Sequence, residues 1–124
     1  MAYDIVKIKS IKCGAASLAS YQYSFVNINT SGLLALPSAG GRAVGVLQDA
    51  PGIGSPGAVC FPGDITKIMA GAAGFAAGDN VMTDASGYGV TASSGRYVLG
   101  VALTAGVSGS IGELIFQPGP WKMV

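Results

Sequence analysis

Arg96-Tyr97-Val98-Leu99-Gly100-Val101-Ala102-Leu103-Thr104-Ala105-Gly106-Val107-Ser108-Gly109-Ser110-Ile111-Gly112-Glu113-Leu114-Ile115-Phe116 repeats, in outline, a stretch met earlier in the chain. Gly100-Val101 lies over Gly45-Val46 at an offset of 55 residues. At that offset Ala105 falls on Ala50, Gly109-Ser110 on Gly54-Ser55, Gly112 on Gly57 and Phe116 on Phe61. Upstream, Val81 falls on Val26, Ser86-Gly87 on Ser31-Gly32 and Ser93 on Ser38, with no gap between Val26 and Phe61. Apolar character matches where identity does not: Val44 with Leu99, Val59 with Leu114, Cys60 with Ile115. With a shift of two residues the match continues toward the N-terminus, Ile8 with Ile65, Ile11 with Ile68, Gly14-Ala15-Ala16 with Gly71-Ala72-Ala73 and Leu18 with Phe75. The chain therefore reads as two tandem copies of one β-rich unit. Two copies are too few for a solenoid, which needs about three or more repeats, so they are expected to close on each other in one pseudo-symmetric body. The register places Val26/Val81, Val46/Val101, Val59/Leu114 and Phe61/Phe116 at equivalent buried positions.

At 124 residues the chain is expected to be a single β domain. It divides into an N-terminal arm (1–12), a first copy (13–63), a second copy (64–119) and a tail (120–124). A chain of this length buries roughly two-thirds of its unfolded surface, enough for a core without metal or disulfide. Charged residues are 10% of the chain, against a usual share of about 25%, while 50% are apolar. Twenty glycines and six prolines imply many turns. A net charge of +1 with no run of like charge gives no basic footprint for nucleic acid. A weakly charged, apolar surface suggests a protein that packs against something. Met1-Ala2-Tyr3-Asp4-Ile5 lacks the basic start and apolar core of a signal peptide, and Ile68–Gly78 is too short and glycine-rich to span a bilayer. Synthesis in a cytoplasm and no membrane partner are therefore expected. Cys13 and Cys60, far apart and without CxxC spacing, are expected to be thiols, Cys60 buried.

Tyr21–Ile28 alternates in polarity and reads as the clearest strand of the first copy, with its partner at Asp79–Thr83. Asn29-Thr30-Ser31-Gly32 and Asp84-Ala85-Ser86-Gly87 read as equivalent hairpin turns whose last residue needs a left-handed conformation. Short strands follow at Leu33–Leu36 and Tyr88–Thr91. Ala43–Gln48 and Tyr97–Leu103 are apolar strands whose central Gly45 and Gly100 point to a bulge or a close backbone crossing. Ala58–Phe61 and Glu113–Phe116 close each copy. Cys13–Ser20 and Ala70–Ala77 read as loops, since Gly71, Gly74 and Gly78 oppose a helix. Many short strands between regular turns make the fold class all-β, a small barrel or sandwich.

In the arm, Val6 and Ile8 share one strand face while Lys7 and Lys9 share the other; the parity breaks at Ser10-Ile11, as at a bulge or strand end. This segment is either an arm that pairs with another chain or an edge strand blunted by lysines. Trp121, in a Pro-Trp tail, is a candidate interface anchor or a ring folded on its own domain.

Chemistry-bearing residues are sparse. The chain has no histidine, the commonest general base and metal ligand. Asp79 and Asp84 flank a turn, but calcium wants about six oxygens, so Asx turns are the better reading. Gly52-Ile53-Gly54-Ser55-Pro56-Gly57 lacks the lysine and helix of a phosphate loop. No enzymatic activity, metal or cofactor is expected.

Ala76-Ala77-Gly78-Asp79-Asn80-Val81, Asp84-Ala85-Ser86-Gly87, Gly95–Leu103 and Gly112-Glu113-Leu114-Ile115, echoed in Gly45–Ala50, resemble the small capsid cement or decoration proteins of tailed bacteriophages. The resemblance spans about Asn27–Pro118. It implies a non-enzymatic virion protein on the outer surface of an icosahedral head, bound over junctions of the major capsid protein. It also implies a homo-oligomer, a trimer with a dimer as the alternative. The ends fall outside the resemblance, so the capsid contacts would come from an arm carrying Tyr3, Ile5, Lys7 and Lys9, and from Trp121. A tail or fibre component of a virion, or a carbohydrate-binding β module using Tyr21, Tyr23, Tyr88 and Tyr97, are the alternatives.

Overall fold

Short runs of β-branched and aromatic residues, each cut off by a turn of glycine, serine or proline, leave room only for short strands. The computed structural model describes residues 8–14, 17–118 and 122, which form ten strands and no helix. In chain order they are β1 (Ile8–Lys12), β2 (Phe25–Ile28), β3 (Leu34–Ala35), β4 (Gly45–Leu47), β5 (Pro56–Cys60), β6 (Ile65–Met69), β7 (Asn80–Thr83), β8 (Gly89–Thr91), β9 (Gly100–Ala102) and β10 (Ile111–Phe116). They make two antiparallel five-stranded sheets, β1-β5-β4-β2-β3 and β6-β10-β9-β7-β8. The fold is all-β, a small sandwich of two similar halves.

The two sheets share one strand order and one register. Phe25 pairs with Val46 as Asn80 pairs with Val101, and Leu47 pairs with Val59 as Ala102 pairs with Leu114. The first strand keeps the two-residue shift seen in the sequence: Ile8 opposes Cys60 as Ile65 opposes Ile115. Each sheet curls until the residue after its first strand bridges the strand at the far edge, Cys13 with Leu34 and Ala70 with Gly89. Each half thereby encloses apolar side chains of its own. In the first these are Cys13, Leu18, Val26, Leu34, Leu47 and Val59, with Ile11, Tyr21, Leu36 and Phe61 packed at the margin. Their counterparts Ala70, Phe75, Val81, Ala102 and Leu114 belong to a larger cluster that also takes in Phe25, Ala43 and Val46 of the first half, and Leu99 and Phe116 of the second. That larger cluster joins the halves.

The central glycines mark close crossings. A Cβ on Gly100 would meet the Ile115 carbonyl, and one on Gly45 would meet the Val59 side chain. The hairpin glycines Gly32 and Gly87 take φ of 77° and 82°, the left-handed conformation their turns require.

Four expectations are corrected. The strand over Tyr21–Ile28 begins only at Phe25, because Tyr23 takes a left-handed φ of 63°. The second half places Gly78 at the equivalent position, with φ 85°. The segment expected as an arm over 1–12 is, from Ile8 to Lys12, a strand of the first sheet, in the position β6 holds in the second. Its register against β5 is unbroken from Ile8 to Lys12, with no bulge at Ser10-Ile11. Finally, Val26, Val81, Val59 and Leu114 are buried as equivalent pairs, but Val46 and Phe116 are fully buried while Val101 and Phe61 are only half-buried. Cys13 and Cys60 are buried and form no disulfide.

Candidate interaction surface

The halves are similar, yet they do not face each other symmetrically. Pairing sets a row of side chains across the outward face of each sheet. In the first sheet the row includes Phe25, Val46 and Cys60, all at most 3% exposed. The second half covers it. The rings of Phe25 and Phe116 meet, the Phe25 amide donates to the Gly87 carbonyl at 2.6 Å, and the Met69 amide donates to the Tyr23 carbonyl at 2.8 Å. Gly40 N donates to the Thr83 carbonyl at 2.8 Å, Gln48 Nε2 to Thr66 Oγ1 at 2.9 Å, and the Lys67 ammonium lies over the Tyr23 ring.

The equivalent row of the second sheet is Asn80, Val101, Ile115 and Ile65. Among the described residues no comparable set of contacts covers it. Asn80, Val101 and Ile115 are half-buried and Ile65 is 56% exposed. Beside that row the face carries Leu103, Glu113 and Ile111, and along its β6 edge Lys67 and Met69, which also reach Tyr23 of the first half. Leu103 and Ile111 are 43% and 45% exposed. Alternation on a solvated sheet normally turns polar side chains outward, so three exposed aliphatics on one face are out of pattern.

The surface of the second half that covers the first sheet carries Met69, Thr83, Gly87 and Phe116. At the corresponding offsets the first half carries Lys12, Ile28, Gly32 and Phe61. Lys12, Ile28 and Gly32 are exposed, and Phe61 is half-buried. The contact between the halves is therefore head-to-tail, joining the row of the first sheet to a different surface of the second half.

Among the described residues the aspartates accept backbone amides. Asp84 Oδ1 accepts from the amides of Ser86 and Tyr88 at 2.9 and 3.0 Å, as Asn29 Oδ1 does from those of Ser31 and Leu33. Asp79 Oδ2 accepts from the Ala76 amide and from Thr91 Oγ1. Asp49 and Asp64 each accept a backbone amide. Among the described residues no three Cys, Asp or Glu side chains gather as metal ligands would. A shallow groove of about 370 Å³ runs past Met69, Gly71, Asp84, Ser86, Tyr88 and Gly109. Its one carboxylate, Asp84, is the one held in the turn.

Of the residues expected to contact a capsid, Tyr3, Ile5, Lys7 and Trp121 lie outside the described residues. The backbone of Lys9 pairs with Val59 inside β1. From the tail, Lys122 bridges back to Tyr97, whose ring also meets Arg42: the two cations lie 5.1 and 5.6 Å from the ring centroid. The tyrosines named for a carbohydrate site are dispersed, with only Tyr21 and Tyr88 in ring contact, at 6.1 Å. The open face of the second sheet was not anticipated. Its signal lies in the comparison of copies, since Phe25 of the first is replaced by Asn80 in the second.

Fold and surface together define an all-β body of two similar halves with an apolar sheet face left open. No protein-family model matches the sequence, and no curated protein matches it. Among solved structures, the chain is similar to the N base of the head fiber gp8.5 of bacteriophage phi29, with a TM-score of 0.73 and 15% identity over 88% of this chain and 93% of that one. At that identity the likeness is one of fold.

Proposed function

We propose that the chain is a non-enzymatic structural protein of a bacteriophage virion, which binds the outside of the icosahedral head and stabilises it. The observation that carries this reading is the fold held in common, over most of both chains, with a base named for a head fiber. The composition supports it: low charge, no histidine, and carboxylates used in turns rather than gathered. An adhesive protein needs apolar faces and strand edges and has no need of titratable groups. The partner in this reading is the major capsid protein. The chain acts as a homo-oligomer, a trimer in preference to a dimer, made in the host cytoplasm and carried on the outer surface of the particle. It is the product of an internal duplication.

A second reading, the base of a fibre, is favoured by the neighbour's own name. Purified protein added to undecorated heads separates the two. A cement protein co-sediments with heads in fixed stoichiometry and adds density at regular lattice sites in micrographs. In micrographs of native particles, by contrast, a fibre base adds density only beneath projecting fibres. Failure to bind heads at all would remove both readings.

A further inference from the structure

We infer that the outward face of the second sheet docks a second copy of this chain, and that the incoming copy presents the end of its first half carrying Lys12, Ile28, Gly32 and Phe61. This deepens the homo-oligomer part of the reading above; it rests on packing and would stand without a virion role.

The chain makes this contact once already, between its own halves. The row Phe25, Val46 and Cys60 is buried: Phe116 and Gly87 meet Phe25, and beside the row the backbones of Thr83 and Met69 bond to Gly40 and Tyr23. Fold and register repeat, so the row Asn80, Val101, Ile115 and Ile65 is built to take the counterparts of those four residues. Those counterparts belong to the first half, where Lys12, Ile28 and Gly32 are exposed and Phe61 packs at the margin of that half's own core. A contact between unlike surfaces of like units does not saturate itself. It continues to the next unit and ends only when a ring closes, or else grows as a filament. Three chains closing in this way would place six similar halves in a ring, with contacts inside and between chains alternating.

The chemistry of the two open ends suits such a contact. Ile65, Leu103 and Ile111 are large aliphatics held in water on one end, and Ile28, 38% exposed, with the half-buried ring of Phe61 lies on the other. The replacement of Phe25 by Asn80 makes the second face more polar than the first. That is the expected difference between a contact joining chains that fold separately and one sealed within a core. Phe61 keeps the ring that, as Phe116, closes the internal contact.

Sedimentation of the purified protein, without heads, tests the inference. The wild-type chain is expected as a discrete species of more than one chain. Leu103→Asp on one end and Ile28→Asp on the other should each reduce it to monomer, with unchanged thermal melts because both side chains are exposed. Ile65→Asp and Ile111→Asp serve in place of Leu103→Asp should that variant melt early. Ile53→Asp and Val107→Asp, 65% and 69% exposed at loop tips, should leave the mass unchanged. Mixing the Leu103→Asp and Ile28→Asp chains should restore a one-to-one dimer and nothing larger, since each variant retains the end the other lacks. A wild-type monomer at every concentration would overturn the inference. So would dissociation by Leu103→Asp but not by Ile28→Asp, which is the pattern of two second sheets meeting face to face. A mixture of the two variants that stays monomeric would overturn it as well.

Discussion

Phe25 and Phe116 meet across the junction of the two halves, their ring centroids 6.0 Å apart and their planes tilted by 39°. Both rings are fully buried, yet neither has its equivalent in a matching contact. The counterpart of Phe25 is Asn80, and the counterpart of Phe116 is Phe61, half-buried at the margin of the first core. Phe116→Ala and Phe25→Ala should each cost about 3–5 kcal/mol in urea melts, as truncation of a buried aromatic does. Phe61→Ala should cost about 1–2 kcal/mol, because less area leaves water when that ring packs. Equal losses at Phe61 and Phe116, measured at a dilution where the chain is monomeric, would contradict the head-to-tail packing of the halves.

The two hairpin turns separate backbone strain from junction packing. Gly32 and Gly87 have nearly the same φ, but a Cβ on Gly32 would meet nothing within 4 Å, whereas one on Gly87 would lie 2.7 Å from the Phe25 carbonyl oxygen. Gly32→Ala should therefore cost about 1 kcal/mol, the penalty of a left-handed alanine. Gly87→Ala should cost that and more, because the new methyl group pushes the halves apart. The difference between the two melts reports the tightness of the junction at Phe25.

Asn29 and Asp84 do the same work in the two halves, each accepting two backbone amides from the turn that follows. Replacing Asp84 with Ala removes both bonds and should lower stability by about 1–2 kcal/mol. Asp84→Asn should stay within about 0.5 kcal/mol of wild type, since the first half already uses Asn in this role. Chemical denaturation of the pair of variants checks this, and a large loss from Asp84→Asn would show that the charge, not the acceptor oxygen, matters at this turn.

The offset that sets Gly100 over Gly45 was legible because turn glycines and alternating apolar residues are fixed by backbone geometry, and that geometry occurs twice. The two-residue shift at Ile8 and Ile65 was legible for the same reason. Strand ends were less so. Tyr21-Gln22-Tyr23-Ser24 alternates as a strand should, and a left-handed tyrosine leaves no trace in such a pattern. Lysines at 7 and 9 suit a detached arm and an edge strand alike, whereas the Ile8/Ile65 match carries the place of β1 at the sheet edge. The open face was hidden for another reason. Burial of Val46 and exposure beside Val101 depend on how two finished halves dock, and periodicity within one half carries no information on that.

The position of β1 sharpens what an N-terminal truncation can test. Five residues, Ile8–Lys12, pair with β5, and β5 in turn carries Val59 into the first core. Deletion through Lys12 removes an edge strand of the curled first sheet and should abolish a cooperative thermal melt, since the bridge at Cys13 loses the strand that positions it. Deletion of Ala2–Lys7 spares the ladder and should leave the melting temperature within a few degrees of wild type. If capsid attachment belongs to the segment carrying Tyr3, Ile5 and Lys7, this shorter deletion should sharply reduce sedimentation with undecorated heads while the fold survives. Strand addition by an extended segment binds through main-chain hydrogen bonds, so a charge swap at Lys7 alone should weaken attachment far less than the deletion. Full binding by the protein lacking Ala2–Lys7 would move the capsid contact off this segment and onto the folded body.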